Sequence, residues 1–191
     1  MEIRTKKFIT FFILPLSLLV IVVWIANFES RPDFRMHVHF YGYTTLVRTS
    51  SDGNVVIDGG PDDKILTDLG QSLPFFDRQI NLVVLTKVDS AHVSGLVDVL
   101  KRYQVKNILI PESSSNLSAY WDFLNLVDAK HIKKIFLQTG QRVWLDPATV
   151  LDIYSPNPFT GEIIFGKARI SFPTEEKTGE LVSDGIVVVK N

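Results

Sequence analysis

The sequence predicts an α/β domain preceded by one membrane-spanning helix, and three observations carry that reading. Residues 8–28 hold no charged side chain, an Ile-Asp-Gly-Gly turn joins a strand pattern to a helical one within 55–73, and an apolar run at 80–86 leads through an amphipathic stretch to another strand at 107–110. Strand, glycine turn and helix, followed by strand–helix–strand, are the units from which parallel sheets are assembled.

The uncharged run comes first. At about 1.5 Å of rise per residue it reaches roughly 30 Å, one hydrocarbon core. Arg4, Lys6 and Lys7 precede it and Glu29, Arg31 and Asp33 follow it, so the basic excess places the N-terminus in the cytoplasm and the body outside it. No small-x-small pattern surrounds Ile25, Ala26 and Asn27, which favours an uncleaved anchor over a signal peptide. The expected organisation is a cytoplasmic N-terminus (1–7), a transmembrane anchor (8–28), a linker (29–35) and one domain (36–191).

Composition narrows the chemistry. With no cysteine, neither a disulfide framework nor a thiolate metal site is possible, and any metal must use His, Asp or Glu. The net charge is −1, of which residues 1–28 contribute +2 through three basic groups and one acidic, leaving −3 on the body. A net-acidic body is a poor electrostatic partner for nucleic acid.

The domain opens as an antiparallel meander at 36–40, 45–49 and 55–58, with Ser51-Asp52-Gly53-Asn54 as a turn. His37 and His39 lie two apart on the first strand and share a face, a pair able to bind metal but more commonly a half-exposed strand face. Asp62 or Asp63 caps a helix carrying Ile65, Leu66, Leu69 and Leu73. The run at 80–86 reads as a strand buried on both faces. A helix from Ser90 places Val93, Leu96, Val97 and Leu100 together before the strand at 107–110, and Tyr120, Phe123, Leu124 and Val127 mark a third helix. Strands follow at 133–137, 142–145, 150–154, 162–165, 168–172 and 185–189. The last would leave an apolar edge open to a second copy, so a homodimer is expected to be accessible.

Two strand ends draw attention because ligands gather at the carboxyl ends of strands in open α/β folds. They are Ile57-Asp58-Gly59-Gly60 and Leu85-Thr86-Lys87-Val88-Asp89-Ser90-Ala91-His92. Around them the sequence resembles the extracytoplasmic metallo-β-lactamase-fold domain of ComEC-type DNA-uptake proteins. The likeness runs through Val55-Val56-Ile57-Asp58-Gly59-Gly60-Pro61, Leu73-Pro74-Phe75-Phe76-Asp77-Arg78, Leu82-Val83-Val84-Leu85-Thr86 and His92-Val93-Ser94-Gly95-Leu96. It weakens through Gly140-Gln141-Arg142-Val143 and Leu151-Asp152-Ile153-Tyr154-Ser155-Pro156. The resemblance implies an αββα sandwich, here truncated at its C-terminus and preceded by the transmembrane helix. It also implies a two-metal hydrolytic centre, and nucleic acid enters as a partner on this ground alone.

The family's Thr-His-x-His-x-Asp-His loop corresponds to Thr86-Lys87-Val88-Asp89-Ser90-Ala91-His92. Lys87 and Ala91 stand at ligand positions without ligand ability, since a protonated ammonium and a methyl group offer no lone pair. The glycine-rich segment after the first strand shortens to Tyr41-Gly42-Tyr43-Thr44, Phe172-Pro173-Thr174-Glu175-Glu176 replaces a Thr-Gly-Asp, and a terminal His-His-Gly-Ser is missing. His92, Asp89 and Asp58 remain as a vestigial metal set, though Asp89 or Ser90 also reads as a helix cap and His92 as a half-buried remnant. The expectation is a non-catalytic binding or assembly protein with an unknown protein partner and no cofactor. Its contact rim would be formed by Tyr41, Tyr43, Asp58, Lys87, Asp89 and His92. The alternative is a metal-dependent phosphodiesterase or nuclease using zinc or manganese at an atypical site that draws in His37 or His39. A further expectation is that the Lys87 ammonium stands in for a metal by neutralising Asp58 and the acidic loop.

Overall fold

A computed structural model describes residues 16–21, 34–173, 178–185 and 188–190. The chain divides into two units, Met1–Asp33 and Phe34–Asn191. In the first, the described residues are a helical, exposed stretch at 16–21, and the rest of the expected span at 8–28 lies outside the described residues. Among the described residues no helix is long and apolar enough to cross a membrane. The expectation of a single-pass protein with an extracytoplasmic domain is corrected accordingly.

The second unit is built on an eight-stranded sheet in the order β12-β11-β1-β2-β3-β4-β5-β6 and a four-stranded sheet in the order β10-β9-β8-β7. The large sheet holds β1 (Met36–Tyr41), β2 (Thr44–Arg48), β3 (Asn54–Ile57), β4 (Gln79–Val84), β5 (Gln104–Ile110), β6 (Lys133–Phe136), β11 (Thr178–Ser183) and β12 (Val188–Lys190). From β3 to β6 the pairing is parallel, as the connecting helices α1 (Lys64–Ser72), α2 (Ser90–Arg102) and α3 (Ser118–Ala129) require, whereas β1, β2, β3, β11 and β12 pair antiparallel. The small sheet is the antiparallel meander β7 (Gln141–Trp144), β8 (Thr149–Pro156), β9 (Phe159–Phe165) and β10 (Ala168–Phe172).

Each face of the large sheet has its own core. Ile65 and Leu69 of α1, Leu96 and Leu100 of α2 and Phe123 of α3 pack with Leu46, Val56, Val83 and Ile108 of the strands. On the opposite face Met36, Val38, Phe40, Val47, Ile57 and Val84 meet Leu151, Ile153, Ile163 and Ile170 of the small sheet. Successive strand residues point to opposite faces, so the β1 residues absent from the sheet–sheet core, His37, His39 and Tyr41, project on the helix side.

The expected αββα arrangement is corrected to αββ among the described residues, because all three helices lie on one face of the large sheet. The outer face of the small sheet explains why. Arg142 holds Asp152 through two bonds of 2.7 Å, Arg169 reaches Glu162 at 3.0 Å, and the Tyr154 hydroxyl donates to Glu162 at 2.9 Å. A charged ladder has no apolar stripe for a helix to bury. Strand β11 is also absent from the sequence reading, and the strand expected at 185–189 is β12, displaced toward the C-terminus; residues 186–187 lie outside the described residues, as do 174–177.

Candidate functional site

The site grows from a close approach of two backbones. Strand β3 ends at Asp58-Gly59-Gly60, where Asp58 N–H extends the parallel ladder to Val84 O (2.8 Å), Gly59 N–H reaches His92 O (2.7 Å) and Gly95 N–H reaches Gly60 O (3.0 Å). A Cβ on Gly95 would stand 1.9 Å from Gly59 O, and one on Gly59 would stand 2.4 Å from Leu96 N. Only glycine lets the first turns of α2 sit directly on this corner. That contact brings His92 beside Asp58.

Asp58 occupies the left-handed region at φ 58°, which aspartate tolerates better than most residues. Its side chain is buried, and both carboxyl oxygens accept from Thr86: Oδ1 from the backbone N–H at 2.8 Å and Oδ2 from the hydroxyl at 2.6 Å. Burial pushes its pKa up to about 7, outweighing the Thr86 hydrogen bonds that stabilise the charged form.

The loop after β4 ties up the remaining donors. Asp89 accepts the Lys87 ammonium at 2.9 Å on Oδ2 and lies in a short contact with His92 Nδ1 through Oδ1. Burial would raise Asp89, but the hydrogen bonds and charges of His92 and Lys87 prevail and hold it below the usual carboxylate range. Asp89 is the N-cap residue of α2 yet makes no side-chain cap bond, because its carboxylate is engaged there. Lys87 is largely exposed, and of the expected partners of its ammonium, Asp58 and the acidic loop, it pairs with Asp89 of the loop.

A cleft of about 510 Å³ opens above these groups, between the carboxyl ends of β3 and β4 and the small sheet. Gly42, at φ 66°, makes the two-residue turn between β1 and β2 and sets Tyr43 at the rim, its ring edge-on to His92 at 5.4 Å. Of the expected rim, Tyr43, Asp58, Lys87 and His92 line the cleft. Tyr41 is not among its lining residues; it faces α1, where its hydroxyl meets Ser72 Oγ. The opposite wall is Pro158, Phe159, Phe172 and Pro173; the resemblance pointed to Phe172-Pro173, whereas Pro158 and Phe159, on a turn and a strand start of the other sheet, escaped the sequence reading.

The donor set here does not fit a two-metal centre. Ala91 has no donor atom, Lys87 is a cation, Asp58 is turned to Thr86, and one His92 nitrogen is directed at Asp89. Two hydrolytic metals need several imidazoles and carboxylates converging at bonding distance. Among the described residues the group of three His, Asp or Glu donors that does converge lies elsewhere, at His37, His39 and Glu180.

Among solved structures the chain is similar to Zn(2+)-bound PqqB from Methylobacterium extorquens (17% identity, TM-score 0.50, 67% of this chain and 47% of that one). It is also similar to CmlA, a diiron β-hydroxylase from Streptomyces venezuelae (12% identity, TM-score 0.50, 72% and 29%). The metallo-β-lactamase fold protein YhfI from Bacillus subtilis matches at 15% identity and TM-score 0.47 over 82% and 61%. The chain shares a mixed α/β fold with PqqB and CmlA. It spans less than two thirds of each of the three. No family model and no curated protein matches it.

Proposed function

We propose that this chain is a recognition protein of metallo-hydrolase-like fold, ComEC-like in sequence, whose cleft holds a ligand without two-metal turnover. The observation that supports it most is the engagement of the cleft's polar groups: Asp58 with Thr86, and Lys87 and His92 each with Asp89. Groups that neutralise one another form a fixed polar floor, while Ile57, Phe159 and Phe172 supply apolar walls. Such a cleft suits a small ligand, or a partner's side chain, with an apolar body and a hydrogen-bonding end.

The test is hydrolysis of bis(p-nitrophenyl) phosphate and of single-stranded DNA by the full chain with added zinc or manganese, beside a His92→Ala variant. The expected result is no rate above that of the variant. A metal-dependent rate that His92→Ala abolishes would establish the hydrolase reading instead.

A further inference from the structure

The helix-facing side of β1 carries His37 and His39, and neither lines the cleft. Residues two apart on a strand share a face, and the two imidazoles stack with centroids 6.4 Å apart and planes 14° apart. Strand β11 pairs antiparallel with β1 and sets Glu180 directly across from His39. Glu180 Oε1 lies 2.9 Å from His37 Nδ1 and 3.7 Å from His39 Nε2. One donor atom from each of the three residues falls within 4.8 Å of the others.

These separations match the demands of an ion. A tetrahedral zinc with bonds of about 2.0–2.1 Å needs donors about 3.3 Å apart, and the two printed distances straddle that value. The side chains are 26%, 17% and 30% exposed for His37, His39 and Glu180, partly withdrawn from water yet reachable. Arg48, opposite His37 on β2, is the adverse charge, and its guanidinium is drawn to Asp52 at 3.3 Å.

We propose that His37, His39 and Glu180 bind one zinc-class divalent ion that fastens β11 to β1, leaving a coordination position for water. Imidazole and carboxylate donors together select zinc, nickel or copper over magnesium and calcium, which prefer all-oxygen sites. The ion joins residues 143 positions apart in the chain and secures the β11–β12 hairpin to the sheet. Its occupancy is independent of the cleft.

The experiment titrates zinc chloride, with magnesium chloride as control, into the chelator-stripped full chain by calorimetry and follows thermal unfolding. Wild type and His92→Ala are expected to bind one equivalent of zinc and to gain about 5 °C in Tm at saturation. His39→Ala and the isosteric Glu180→Gln are expected to lose at least about tenfold in affinity, together with that gain, while matching wild-type Tm in chelator. If His39→Ala fails to fold, Glu180→Gln decides. The proposal is overturned if wild type takes up no zinc, if the Glu180→Gln and His39→Ala chains bind it as wild type does, or if binding disappears in His92→Ala.

Discussion

The cleft and the helix-facing side of β1 both hold histidine and carboxylate, and they arrange them in opposite ways. In the cleft, Asp58 gives both oxygens to Thr86, and Asp89 divides its own between Lys87 and His92. On β1 and β11, His37 and His39 are directed at one oxygen of Glu180. The place a fold reserves for a ligand set matters less than whether the donors converge on a common point or on each other. In the loop the charged side chains form an internal ion-pair network, whereas two strands brought into register assemble donors where no loop motif exists.

The largest expected effect tests the scaffold of the cleft. Gly95→Ala forces a methyl group to within 1.9 Å of Gly59 O and 2.6 Å of Asp62 O, so α2 must leave the β3 corner. A loss of about 4 kcal/mol or more is expected in chemical denaturation. A near-neutral result would mean that the backbone approach does not hold His92 beside Asp58.

Next in size is Asp58. Its carboxyl binds a proton in the folded state up to about pH 7, while in the unfolded chain it releases it near the ordinary aspartate value of 3.8. A raised folded pKa means that its favourable contribution is full below about pH 4 and is lost as pH rises toward 7. Asp58→Asn mimics the protonated form and lacks this slope. The advantage of wild type over Asp58→Asn is expected to fall by about 2–3 kcal/mol between pH 5 and pH 7.5. Parallel stability profiles for the two proteins would contradict the burial account.

The smallest effect sharpens the contrast between Lys87 and Asp58. Lys87 is exposed and meets only Asp89 across the loop, so Lys87→Ala is expected to leave Tm unchanged within the error of thermal unfolding. A marked drop would restore Lys87 as a surrogate cation for the buried carboxyl.

Most of this framework was legible in the residues. Period-two alternation in Met36-His37-Val38-His39-Phe40 and helical spacing in Val93, Leu96 and Leu100 arise from local geometry, and the elements they mark are present as β1 and α2. The loop from Thr86 to His92 was legible as a site because its chemistry is contiguous. Glu180 was not. Thr178-Gly179-Glu180-Leu181-Val182-Ser183 contains a glycine and a glutamate that disfavour strands, and it becomes β11 only by pairing with β1. The part of the wall formed by Pro158 and Phe159 was hidden for a similar reason, since sheet-on-sheet packing leaves no local signature. The outer face of the small sheet was readable in principle: Arg142, Asp152, Glu162 and Arg169 recur on one side of their strands, and a polar face excludes a covering helix. Hydropathy alone at 8–28 suggested a membrane span, and among the described residues no helix is long and apolar enough to cross a membrane.

The contrast between the two regions is tested most directly by an anomalous difference map, recorded at the zinc absorption edge from crystals of the full chain grown with one equivalent of zinc. The account predicts one peak bounded by His37, His39 and Glu180 and none above Asp58. A peak held by His92 and Asp89, with nothing on β1, would contradict it.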